Sequence, residues 1–251
     1  MGCLTDITML GLELSLIEIL AAVGIAALGS AIQGSIGIGL GFIAVPTLVL
    51  LNPGFVPGPL LLSALVLTTL MSIRERSSIH TVGIKWAIPG RLVGSIIGAW
   101  ILSIIAQENI SIFFGSMILL AVIISLAGFS LELNARNLLA TGVLSGIMGT
   151  TSAVGGPPIA IVYQKQKGPR IRGTLSVIFV VGTIISIISL AVIGRFGWEE
   201  IKLAAVLIPG VLIGYMISHH TKKVLDRGFI RATVLILSAL SGLVVILKTI
   251  L

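Results

Sequence analysis

The sequence contains one cysteine, Cys3, in 251 residues. A single thiol excludes an internal disulfide and any cysteine metal cluster. Acidic residues number nine, and charged residues of both signs make up 10% of the chain, against roughly 25% in a soluble domain. No Lys or Arg precedes Arg74, so the basic stretch that opens a cleavable signal peptide is missing. A phosphate loop of the Walker type is also missing, and ATP hydrolysis is not expected. The stretch around Ser35 lacks the glycine two positions earlier that a nucleophile elbow needs; Gln33 stands there. His219 and His220 are adjacent, so on a helix they point about 100° apart and make a poor metal pair. The chain reads as a non-enzyme without metal or cofactor.

What is present is apolar. Hydrophobic residues make up 56% of the chain, and the mean hydropathy is +1.18. A helix needs about 20 mostly apolar residues to cross a bilayer, and such runs fill nearly the whole sequence. The reading is an all-α polytopic membrane protein whose surroundings are lipid. The net charge of +7 then fits basic cytoplasmic loops, and no nucleic acid is expected as a partner.

Internal similarity organises the segments. "IPGRLVGSIIG" (Ile88 to Gly98) resembles "IPGVLIGYMIS" (Ile208 to Ser218), at an offset of 120 (209 − 89). "GSIGIGLGFIAVP" (Gly34 to Pro46) resembles "GTTSAVGGPPIAI" (Gly149 to Ile161), at an offset of 115 (149 − 34). Two matches in the same order indicate a duplication, with halves 1–130 and 131–251 forming one membrane domain. Spanning helices are predicted over about 58–73, 87–106 and 110–129, and over about 172–194, 201–219 and 230–250. Loops 74–86, 164–172 and 219–231 are basic, whereas their counterparts 195–202, 52–57 and 107–109 are not. If basic loops face the cytoplasm, the halves are inverted, in a cell inner membrane with both chain ends outside.

Inversion requires each half to cross an odd number of times. Three helices per half satisfy this only if the Gly-rich segments do not cross. Between Glu18 and Gln33 lie 14 residues (33 − 18 − 1), short of the about 30 Å of hydrocarbon. The expected architecture is therefore two inverted repeats, each a broken, re-entrant hairpin plus three helices. One kinked crossing helix per Gly-rich segment, in a plain bundle of eight, is the rival.

Backbone that leaves the helix at membrane depth survives only against protein or a water-filled cavity, where unpaired N–H groups and the helix dipole favour an anion. Gly37, Gly39, Gly41, Gly155 and Gly156 permit tight turns, and Pro157 fits a first helical turn. Gln33, Ser35, Thr150, Thr151 and Ser152 supply side-chain donors beside them. These residues, with Arg91, form the candidate site for a small anion. The competing reading is that the small residues serve helix packing and the hydroxyls bond their own backbone. Arg91, two residues past Pro89, reads chiefly as a side chain snorkelling to the headgroups, and otherwise as an anion-attracting entrance. No carboxylate falls mid-span, so export can run on the membrane potential.

The Gly-rich pair "GSIGIGLGFIAVP" and "SGIMGTTSAVGGPP", followed by "RGTL" (Arg172 to Leu175), resembles the sulfite exporter TauE/SafE family over nearly the whole chain. The resemblance implies an exporter of sulfite, sulfoacetate or related organosulfonates, through a midplane site at the repeat interface. An anion channel, or a carrier of another small anion such as thiosulfate, is the alternative, and a homo-oligomer is left open.

Overall fold

A computed structural model describes residues 6–7, 14–127, 130–225, 235–236, 238–244 and 247. The predicted helix 230–250 lies partly outside them; its described residues are helical. Cys3 lies outside them. The helices are α1 (Leu16–Ile36), α2 (Leu40–Leu51), α3 (Gly58–Arg74), α4 (Thr81–Ile104), α5 (Ile110–Leu126), α6 (Ala135–Ser152), α7 (Gly156–Tyr163), α8 (Gly168–Val192) and α9 (Trp198–Leu225). A two-residue ribbon, Asp6–Ile7 with Leu14–Ser15, precedes them.

Among the described residues, four helices are long and apolar enough to cross a membrane: α1, α4, α8 and residues 198–221 of α9. Helices α3 and α5, at 17 residues each, stand at the lower limit for a crossing. Large apolar side chains such as Leu92, Ile96, Ile188 and Met216 point outward from the bundle, as lipid contact requires. Trp86, Trp100 and Trp198 are also exposed, near helix ends where interface anchors belong.

Both Gly-rich segments are helical hairpins. Helix α1 ends at Gly37, which is left-handed with φ 102° and donates its N–H to the Gln33 carbonyl at 2.7 Å. Helix α6 ends at Ala153, also left-handed with φ 57°. The chain then folds back: a Cβ on Gly29 would lie 3.2 Å from the Leu40 Cα, and one on Gly155 would lie 3.0 Å from the Gly149 Cα. The two left-handed residues are 116 apart (153 − 37), as are the starts of the returning helices (156 − 40). Both offsets are one residue longer than the 115 of the matched glycines.

The first arm of each hairpin is longer than expected. Ser15 caps α1: its hydroxyl accepts from the Glu18 N–H at 3.3 Å, and Glu18 accepts from the Ser15 N–H at 2.8 Å. Glu18 is therefore inside the first turn, not a boundary, and the 21 residues of α1 reach about 31 Å. Short arms are confined to α2 and α7, at 12 and 8 residues. Helix α4 likewise starts at Thr81, six residues before its predicted beginning, which takes Lys85 out of the loop.

Helices α4 and α9 each pack along the first arm of a hairpin distant in sequence. Gly90 and Gly94 of α4 lie against the Leu139 and Val143 carbonyls of α6. Gly210 and Gly214 of α9 lie against the Val23 and Ala27 carbonyls of α1. Backbones this close leave no room for a Cβ, which is the use of small residues in membrane helix packing.

The basic loops gather at one end of the bundle. Arg74 donates to the Gly34 carbonyl and to the Ser218 hydroxyl (2.8 Å), and Arg172 donates to the Ser35 carbonyl (3.0 Å). Glu75 pairs with both, at 3.2 Å to Arg74 and 3.0 Å to Arg172. These cations sit at the carboxyl end of α1, where the dipole favours positive charge. Nearby, the His80 N–H donates to the Thr174 hydroxyl at 2.9 Å. At the opposite end Arg195 reaches the Ile105 carbonyl at 3.3 Å.

Candidate functional site

The two breaks meet face to face. A Cβ on Gly41 would lie 2.5 Å from the Ala153 carbonyl, and one on Gly156 would lie 3.0 Å from the Ile38 side chain. Between them is a cavity with about 50 Å³ of space open to water centres, flanked by α3 and α8. One water needs roughly 10–15 Å³ of such space, so the cavity holds a few waters or one small anion.

Seven of the twelve predicted residues line it: Gln33, Gly39, Gly41, Arg91, Gly155, Gly156 and Pro157. Gln33 has a defined role in the first turn of α2. Its Oε1 accepts the Leu40 N–H at 3.0 Å, so the amide NH₂ is the donor end left for the cavity. The other five do not line it. Ser35 bonds the Thr221 hydroxyl at 2.9 Å and the Ala31 carbonyl at 2.7 Å. Gly37 packs against Arg172. Thr151 and Ser152 donate back to the Ile147 and Met148 carbonyls, both at 2.8 Å, which is the helical back-bonding open to such residues. Thr150 joins Ser186 at 2.7 Å, and Ser186 joins Ser95 at 3.3 Å. That hydroxyl chain ties α6, α8 and α4 together.

Arg91 does not snorkel. It lies ten residues into α4, about 15 Å along the axis, and is 2% exposed. Its Nη1 donates to the Ser145 hydroxyl at 2.8 Å, and Ser145 in turn donates to the Gly155 carbonyl of the break. The guanidinium stacks over the Phe179 ring, 5.4 Å from its centroid, a cation–π contact. Its buried Nε has no hydrogen-bond partner. Among the described residues no carboxylate pairs with it.

Glycine makes the room. A Cβ on Gly182 would collide with the guanidinium, and one on Gly149 would lie 3.0 Å from Nη2. Sequence reasoning missed Gly182, which sits in an ordinary apolar helix with no local pattern to mark it. It also missed Ser145, Thr68 and Thr183; the two threonines line the cavity from α3 and α8. Their signal is visible only once those helices are placed beside the breaks.

The arrangement brings together irregular backbone at two facing breaks, one buried cation and a small, partly open cavity. A family model described as the sulfite exporter TauE/SafE matches residues 21–245. The chain belongs to that family. TauE/SafE proteins are membrane transporters of the sulfite exporter type, and this member is a multi-pass membrane protein. No curated protein and no solved structure matches the chain. The match begins inside α1 and takes in both breaks and every helix from α2 to α9.

Proposed function

We propose that this TauE/SafE member exports a small sulfur-containing anion (sulfite, sulfoacetate or a related organosulfonate) through the cavity between the breaks. One observation carries the reading: Arg91, buried against that cavity without a carboxylate. An unpaired buried cation costs several kcal/mol, and an anionic occupant offsets that cost. The carrier is built of two inverted halves. In support, α1 runs towards the basic end while α6 runs away from it, and the exchanged packing of α4 and α9 relates the halves. The basic end faces the cytoplasm of a cell inner membrane. A carrier is favoured over a channel because Arg74, Glu75 and Arg172 fasten α3 and α8 to the end of α1, which closes that side.

Flux from proteoliposomes loaded with sulfite, and separately with sulfoacetate, tests this under an imposed potential. Saturable efflux that rises with the potential is expected. Absence of flux for every small anion tried, from folded protein, removes the reading.

A further inference from the structure

We infer that the cavity takes its anion in a singly charged form; this rests on the transport reading above and narrows its substrate class. Among the described residues, Arg91 is the one ionisable side chain lining the cavity. Its partners, the Ser145 hydroxyl and the Phe179 ring, are neutral, and its unpartnered Nε is buried there. Among the described residues, the other half supplies no second cation to the lining. Val211 holds the place of Arg91 in "IPGVLIG" at the offset of 120, and Gly29 holds the place of Ser145 at the offset of 116 (145 − 116 = 29). Arg172 packs against Gly37 outside the lining, with its Nε on Glu75 and its Nη1 on the Ser35 carbonyl. It belongs to the closure of the basic end.

With one cation present, the charge of the anion decides the balance. The cost of dehydrating an ion rises with the square of its charge, whereas its attraction to a single guanidinium rises only in proportion. A dianion therefore costs about four times the desolvation of a monoanion of the same size and recovers about twice the attraction. Water closes little of the gap, because the cavity has room for only about three to five molecules. Beside the neutral Gln33 amide and the Thr68 and Thr183 hydroxyls, Phe42, Leu60, Leu61 and Phe179 make the rest of the wall largely apolar.

An oxyacid of sulfur that titrates near neutrality is thus carried as its hydrogen form. A lone sulfonate is accepted, and a sulfonate that also bears a carboxylate is discriminated against. The loaded site is electrically neutral, so the membrane field acts chiefly on the empty carrier.

The test uses the wild-type protein in proteoliposomes and follows uptake of labelled sulfite against three competitors: methanesulfonate, sulfate and sulfoacetate. Methanesulfonate is expected to inhibit at concentrations about tenfold or more below either dianion, a difference of about 1.4 kcal/mol. Uptake at fixed total sulfite is expected to fall as the pH rises through the range where hydrogensulfite loses its proton. Equal inhibition by sulfate and methanesulfonate, with sulfite flux intact, overturns the charge limit and leaves the transport reading standing. Neither flux nor inhibition with any of these anions overturns the transport reading, and the charge limit with it.

Discussion

Replacing Arg91 with methionine separates a binding arginine from a structural one, because the two roles predict opposite signs. Arg91 is buried with one neutral hydroxyl as hydrogen-bond partner and no described carboxylate. If the empty protein bears that unpaired charge, Arg91→Met removes the desolvation penalty and keeps an unbranched side chain of similar length. Replacing buried ionic groups by well-packed apolar ones stabilises by up to about 1–4 kcal/mol. A gain of about 2 kcal/mol raises the melting temperature by roughly 5 °C in a chain of this size. The wild type should gain a comparable amount by another route, since a ligand at about 100 times its Kd stabilises by about 2.7 kcal/mol. The assay is thermal unfolding of detergent-purified protein with and without a sulfonate monoanion. The variant should melt higher than the empty wild type, show no anion-dependent rise, and lose anion flux by about a hundredfold, as expected for about 3 kcal/mol of lost charge-assisted binding. A variant that melts lower and keeps its full anion response would refute the reasoning, and Arg91 would then be a structural tie to Ser145.

Three further outcomes are expected. Gly182→Ala pushes a methyl group into the Arg91 guanidinium, so it should cut the anion-induced thermal shift and slow flux more than tenfold, at about 1–3 kcal/mol of overpacking; unchanged flux would mean the guanidinium is not needed in that place. His80 is held below its ordinary pKa chiefly by burial and secondarily by the nearby Arg170 charge. Its neutral form is favoured on folding, so its share of stability is complete above about pH 6.5 and is lost as the pH falls through its lowered value; thermal unfolding from pH 7.5 to 5 should show this, and His80→Asn should flatten part of the slope. Cys3, the only thiol, should react with an impermeant maleimide added outside intact cells; labelling only in inverted vesicles would reverse the proposed orientation.

The sequence made the hairpins readable because glycine and proline crowd together where the helix must stop, and Gly39 with Gly155, Pro157 and Pro158 mark both breaks. The exact register was hidden because the turn residues differ by letter. Gly37 and Ala153 share a left-handed backbone, yet Gly34 and Gly149 share a name and drew the alignment one residue short. Arg91 was misjudged for a similar reason. Its depth was counted from Pro89, whereas α4 begins at Thr81 and carries Pro89 inside it. Thr151 and Ser152 offered hydroxyls beside a turn, but a hydroxyl on a helix can satisfy itself on the carbonyl four residues earlier, and these do. Gly182 and Thr183 had no pattern at all, because their role is set by helices that are distant in sequence.

The packing of α9 along α1 has a consequence for biosynthesis. The small-residue face of α1, from Val23 to Ala31, is covered by α9, and 161 residues (198 − 36 − 1) separate the end of one from the start of the other. At about 5–20 residues per second the ribosome needs roughly 8–30 s to bridge that gap. Through that interval α1 is committed to the bilayer with its closest neighbour not yet made, held by α2 and α3 and, once it is synthesised, by α8. Helix α4 waits a far shorter time for α6. A nascent chain stalled before Trp198 should therefore carry a finished second hairpin and an unfinished first one, so that the part synthesised earliest is the last to assume its packed form.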